Sequence, residues 1–299
     1  MKIYGAGLAG LIAGCVFTKA KIFEKNEMPM ASHQALLRFR SNRVSELTGV
    51  KFKKVNVLKS IWSENREFFP TPRLVALYSK KVTGKYENRS IMNIDPCVRY
   101  IAPDNFHEIL YSDMKDRVTS GYEITNKDYG PSETTISTLP LSINAKMLGY
   151  DFKTVKNFSC IYVNKFKIEN CDMYATIYFP DESTSVYRAS ITGDMLIVES
   201  KNKITSIETL DVVNSFGLID SDITRFLQNY KQPYGKLTSI NDDERRVMIY
   251  KMSHDHNMFS LGRFALHKNI LLDDVAKDIF VIKSMINDDS YGISIKDRL

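Results

Sequence analysis

The sequence predicts an α/β fold in which a parallel sheet flanked by helices is interrupted by an inserted antiparallel sheet. Three observations predict it. The chain opens on a short apolar strand, Lys2-Ile3-Tyr4, that runs into closely spaced glycines and an apolar helix. From about residue 157 to 200 it changes to short apolar runs separated by turn residues. After residue 258 it returns to one strand and one helix. These changes divide the 299 residues into a discontinuous first domain of residues 1–50, 130–150 and 250–290, and a second of residues 51–129 and 151–249.

Gly5, Gly7 and Gly10 have the spacing of a dinucleotide fingerprint. The first glycine makes a tight turn, the second lets backbone approach a pyrophosphate, and the third lets helix pack closely on strand. Ala6, Leu8 and Ala9 complete the turn and open the helix, whose positive end suits phosphate. A second strand, Lys21-Ile22-Phe23, ends at Glu24, 19 positions beyond Gly5. An acid there accepts from ribose hydroxyls and repels a 2′-phosphate, which disfavours NADP. Lys25 follows it among the candidate cofactor contacts.

The next informative stretch is residues 32–41, where His33, Arg38 and Arg40 bracket an apolar centre. Arg38 and Arg40 share one face if the stretch is extended, and a guanidinium fork binds phosphate or carboxylate bidentately. His33 is the best proton carrier among the five histidines, because its ordinary pKa lies near neutrality and it follows the cofactor loop. These three are candidate catalytic residues, and Arg40 is a candidate cofactor contact as well.

Residues 45–48 read as a short helix stopped by Gly49, and residues 52–58 as a strand with lysines outward. Residues 68–72 are a proline-stiffened loop, and residues 74–78 fit either a helix or a strand. A strand at 98–101 precedes a helix from Asn105 to about Val118, on which His107 reads as a packed surface histidine.

A strand at 134–138 enters Leu139-Pro140 and a helix at 141–148, where the chain returns to the nucleotide sheet. Runs at 159–163, 174–179, 186–191 and 195–199 read as an antiparallel meander carrying Tyr187 and Arg188 as candidate catalytic residues. Residues 207–230 read as helical in two pieces broken near Gly217. A last strand ends at Gly262-Arg263, and a helix starts at Asp273 or Asp274, followed by Val275. Amides at that helix start would meet the cofactor a second time.

The net charge of +6 is uneven: residues 31–100 hold 14 Lys and Arg against 5 Asp and Glu. That surplus implies an anionic partner, either a cofactor pyrophosphate, a phosphorylated substrate or the backbone of DNA. Four separated cysteines suit reduced thiols, and no Ser-His-Asp order, HExxH, Walker sequence or metal-ligand spacing is visible. The start, Met1-Lys2 with Cys15 after small residues, imitates a lipoprotein leader, but its glycines stand at fingerprint spacing. A cytoplasmic protein without a membrane span is expected.

Together, Gly5, Gly7, Gly10 and Glu24, then Leu261-Gly262-Arg263-Phe264-Ala265 and Asp273-Asp274-Val275, resemble the FAD-dependent amine oxidase and UDP-galactopyranose mutase superfamily. The resemblance implies a Rossmann-like FAD-binding fold of the GR2 type, FAD as resident cofactor, and a substrate domain built on the sheet around Tyr178 to Glu199. The usual glycine-glycine-arginine segment is replaced here by His33 to Ser41. That block also resembles, more narrowly, the bacteriophage flavin-dependent lyases of thymine hypermodification. Three functions follow as expectations: oxidation of an amine C–N bond, concretely of a glycyl-modified thymine in DNA; mutase chemistry on a nucleotide sugar; or non-catalytic nucleotide binding by a DNA-associated protein.

Overall fold

A computed structural model describes residues 1–27, 37–88, 90–150, 158–237 and 240–287. Its elements in chain order are β1 (Lys2–Tyr4), α1 (Leu8–Val16), β2 (Lys21–Phe23), β3 (Arg38–Phe39), α2 (Arg43–Thr48), β4 (Lys53–Ser63), β5 (Arg66–Phe68), α3 (Pro72–Thr83), β6 (Cys97–Ile101) and α4 (Phe106–Met114). There follow β7 (Val118–Thr119), β8 (Thr135–Ser137), α5 (Leu141–Met147), β9 (Phe158–Ile168), β10 (Met173–Tyr178), β11 (Val186–Gly193), β12 (Met195–Ser200), α6 (Ser206–Ser215), β13 (Ile223–Leu237), α7 (Asp242–His256), β14 (Met258–Ser260) and α8 (Leu272–Asn287).

The predicted α/β architecture is present. Five parallel strands stand in the order β14-β8-β1-β2-β7, with β1 central and in register with β2 and β8. Strand alternation sends successive side chains to opposite helical layers. Phe259 joins Ile3, Ile22 and Ile136 under α1, α4 and α8, whereas Met258 meets Leu141 of α5 and Met252 of α7. Helix α1 is apolar almost all round because it is buried between this sheet and α4 and α8, with Leu11, Ile12 and Ala13 fully enclosed.

The second sheet runs β13-β9-β12-β11-β10-β4-β6-β3, with β5 beside β4. Along β12, Leu196 and Val198 pack towards Val212 and Val213 of α6, while Ile197 faces Leu74 and Tyr78 of α3. Phe39, Phe52 and Phe106 form an aromatic junction between the two sheets, with ring centres 4.9 Å apart for Phe39 and Phe52 and 5.1 Å for Phe52 and Phe106.

Several expectations need correction. Strands β9 and β10 are not neighbours: β12 pairs with β9, so only β10, β11 and β12 form consecutive hairpins. The second helical piece expected before residue 230 is β13, paired antiparallel with β9 from Ile223 to Leu237. Phe226 packs edge-on against Phe166 across that ladder, a partner that local periodicity cannot reveal. Residues 74–78 lie in α3, a helix with Thr71 as side-chain cap and Pro72 in its first turn. Helix α7 was not anticipated, although Asn241, which accepts from the amides of Asp243 and Glu244, and three acids in the first turn mark its start. The expected helix from Asn105 is α4 and ends at Met114, after which β7 joins the parallel sheet beside β2.

Candidate dinucleotide site and the cationic sheet face

The glycine turn lies where β1 meets α1, at the carboxyl edge of the parallel sheet. Its glycines have three different surroundings. Gly5 adopts φ +95°, and a Cβ there would stand 2.3 Å from the hydroxyl of Thr138, which itself donates to the Tyr4 carbonyl. A Cβ on Gly10 would lie 2.0 Å from the Gly5 carbonyl oxygen, so helix and strand are in backbone contact there. A Cβ on Gly7 would meet nothing within 4 Å. The turn is therefore closed on two sides and open at Gly7, where a pyrophosphate needs to approach. Intrahelical bonding begins with the Leu11 amide on the Gly7 carbonyl, so the amides of Leu8, Ala9 and Gly10 precede the helical ladder.

Glu24 stands at the end of β2, as the spacing predicts. One carboxylate oxygen accepts from the Ala6 amide at 2.8 Å, and the other from the backbone and side-chain amides of Asn26 at 3.0 and 2.9 Å. A carboxylate has about four acceptor positions, so one remains beyond these three bonds. Lys25 is engaged in an exposed ion pair with Glu123 at 3.0 Å.

The C-terminal segment returns to this turn. Gly262 has φ +88°, and a Cβ there would come within 3.1 Å of the Ala9 methyl and 4.0 Å of Val275. Arg263 lies with its guanidinium carbon 6.0 Å from the centre of the Phe264 ring. Val275 is buried in the core shared with α1. Asp273, 4% exposed, accepts from the amides of Arg40 and Ser41 and from the Ser41 hydroxyl. Asp274 caps α8 through the Leu271 amide and holds the Arg40 guanidinium at 2.7 Å. Arg40 is thus drawn to the α8 terminus and away from Arg38, two residues earlier.

Arg38 points into the second sheet. Its guanidinium donates to the Thr176 hydroxyl at 2.7 Å, the Thr192 hydroxyl at 2.5 Å and the Ile191 carbonyl. All three acceptors are uncharged. Burial pushes the Arg38 pKa down to about 10, and the neighbouring positive charges of Arg188 and Arg99 push the same way. Arg188 donates through Nε to Glu199, which also accepts from the Tyr187 hydroxyl at 3.4 Å. Burial and Glu199 together raise the Tyr187 pKa. Arg38 and Arg188 therefore stand close together, and Glu199 is bound to the second of them. His33 lies outside the described residues, so its place relative to this cluster is not part of the picture.

Glu199, Thr176 and Thr192 were not singled out from the sequence. The hairpin turn at Gly193-Asp194 held the signal, because it pairs Arg188 with Glu199 directly across the ladder. His107 is buried, at 7% exposure, where a surface histidine was expected, and its Nε2 lies 2.9 Å from the Ala6 carbonyl.

No protein-family model matches the chain, and no curated protein sequence matches it. Solved structures do resemble it. A reduced UDP-galactopyranose mutase superimposes with a TM-score of 0.71 at 14% identity, over 95% of this chain and 94% of that one. An oxidoreductase from Methanosarcina mazei gives 0.57 at 8% identity, over 95% and 100%. PqsL, a probable FAD-dependent monooxygenase from Pseudomonas aeruginosa, gives 0.55 at 11% identity, over 99% and 89%. At such identities the shared property is the fold, a parallel sheet between helices joined to an antiparallel-rich second sheet, over almost the whole chain.

Proposed function

We propose that the chain is an FAD-dependent enzyme acting on an anionic substrate held against the inner face of its second sheet. The observation that carries this reading is the arginine cluster. Arg38 and Arg188 converge, and among the described residues Arg38 is bonded to uncharged acceptors alone and Glu199 is the one carboxylate bound to the pair. A partly buried surplus of positive charge is costly unless an anion completes it.

The residues of the glycine turn fit FAD: space at Gly7, backbone contact at Gly10, amides at the start of α1 and an acid at Glu24. Bound there, FAD would supply hydride or electron chemistry that no protein side chain provides. The chain's own part is to bind and orient. Glu199 holds Arg188 by Nε, which leaves the two terminal nitrogens of the guanidinium fork for a phosphate or carboxylate. Buried Tyr187 fixes Glu199 from the other side. Arg38 braces β3 against β10 and β11 while adding charge.

Two substrate classes follow. A nucleotide sugar is supported by the arginine pair together with the full-length likeness to the mutase. Oxidation of an amine C–N bond on a modified DNA base is supported by the exposed lysines Lys51, Lys53 and Lys54 and by Arg66 and Arg73, which give the β4 to α3 surface its positive charge. The purified protein is expected to be yellow, with the absorbance bands of bound FAD; a colourless protein that takes up none overturns the reading. Turnover of a nucleotide sugar only after dithionite reduction supports the first class. Anaerobic bleaching by glycyl-modified thymine DNA, with none by unmodified DNA, supports the second.

A further inference from the structure

Two consecutive peptide planes of the glycine turn are held by side chains from different elements. The Ala6 amide donates to Glu24, which stands at the end of β2. The Ala6 carbonyl accepts from Nε2 of His107, in the first turn of α4. A carbonyl only accepts, so Nε2 carries the hydrogen that is donated, and Nδ1 takes no part in this bond. That Nδ1 is buried with no hydrogen-bond partner among the described residues.

A trans peptide is planar, with its C=O and N–H opposed. Fixing the Ala6 carbonyl therefore fixes the direction of the next amide, that of Gly7, and aims it away from α4. Gly7 faces the open side of the turn, where a Cβ would touch nothing. Likewise, tying the Ala6 amide to Glu24 turns the Gly5 carbonyl the other way, towards Gly10, whose Cβ would collide with it. The histidine is itself supported: its ring stacks on Tyr111, with centres 6.3 Å apart and planes 19° from parallel, and the Tyr111 hydroxyl pairs with Ser120 at 2.8 Å. Ser120 follows β7 at the same carboxyl edge.

From this geometry we infer that His107 is a positioning residue for the pyrophosphate turn, setting the Gly7 amide for a phosphate oxygen before the dinucleotide arrives. The inference rests on the FAD reading but concerns how the turn is held. A group that preorganises a binding amide improves affinity without touching the ligand.

The test is titration of the ligand-free protein with FAD and with ADP, alongside its unfolding midpoint without ligand. H107F keeps a ring against Tyr111 and H107L does not; both lack the Nε2 donor. H107Q places an amide donor at a similar reach. The expected result is a Kd about tenfold higher for FAD and ADP in H107F and H107L, the scale of one hydrogen bond to a buried carbonyl, with most of the loss recovered in H107Q. Folded H107F that binds FAD as tightly as wild type overturns the inference while leaving the FAD reading intact. H107Q as weak as H107F also overturns it, because the donor would then not be what matters. Wild-type protein that binds neither FAD nor ADP overturns both.

Discussion

The carboxylate of Asp273 accepts from the backbone amides of Arg40 and Ser41, each at 3.1 Å, and so ties the start of the last helix to the exit of β3. The Ser41 hydroxyl adds a third bond to the same group. Residues more than 230 positions apart are joined by a side chain that is 4% exposed. Hydrogen bonds to a charged acceptor are worth more than neutral ones, and two part-buried amides lose their partner if the acceptor goes. D273A is therefore expected to cost about 3 kcal/mol, and D273N less because its amide oxygen still accepts. Urea unfolding at constant m-value measures both; a loss below about 1 kcal/mol in D273A would contradict the tie.

Two of the fingerprint glycines, Gly10 and Gly7, should separate in mutagenesis. A methyl at Gly10 meets backbone oxygen at 2.0 Å, so neither side can yield by a rotamer change. G10A is expected to lose about 3 kcal/mol or to fail to fold. At Gly7, with φ −70° and open space, alanine is sterically allowed, and stability should stay within about 1 kcal/mol of wild type. G7A should nevertheless bind FAD at least about tenfold more weakly, because its methyl stands where the phosphates approach. Equal FAD affinity in G7A and wild type would place the pyrophosphate elsewhere.

What the sequence could and could not disclose follows from the range of the interactions. The places of Gly5, Gly7 and Gly10 in the turn and of Glu24 at the end of β2 were legible because they are encoded within one strand-helix-strand unit. The return of Gly262 and Val275 to α1 was legible as a motif, though not as a contact between Gly262 and Ala9. Strand β13 was misread because its partner β9 and the aromatic pair Phe166 and Phe226 lie some 60 positions away in sequence. Arg38 and Arg40 were expected on one face. The structure divides them, because Thr176 and Thr192 attract one and Asp274 the other, both from distant elements. His107 was read by its helix neighbours, whereas its partner is a backbone carbonyl 101 residues earlier.

If Arg188 presents its terminal nitrogens to an anion, R188M should weaken binding of UDP by tenfold or more, in line with about 1.5–3 kcal/mol for a charge-assisted contact. E199Q leaves Arg188 in place but removes the carboxylate that orients it and offsets its charge. Its UDP affinity should change less than that of R188M, while its salt dependence becomes steeper. Calorimetric titration at two salt concentrations gives both quantities. UDP affinity unchanged in R188M would move the anion site off this sheet face.

The most buried lysine among the described residues gives a pH prediction. Lys81 is 5% exposed, and its ammonium donates to the carbonyls of Phe179, Asp181 and Val186 at 2.9, 2.6 and 2.5 Å, closing the turn between β10 and β11. Burial, the largest influence, pushes its pKa down to about 8, against the opposing pull of Asp181. The sign follows from linkage. Below about pH 8 both folded and unfolded chains carry the proton, and the folded state bears the full cost of the buried charge. Between about 8 and the ordinary lysine value near 10.4 the unfolded chain holds more protons, so this residue's contribution to stability rises with pH. K81M leaves three carbonyls without their donor and should be less stable at every pH. The gap between wild type and K81M should widen from pH 8 to 10, read as the difference in unfolding free energy at each pH. A gap that is flat or narrows over that interval would show that the three carbonyls hold the ammonium strongly enough to cancel the effect of burial.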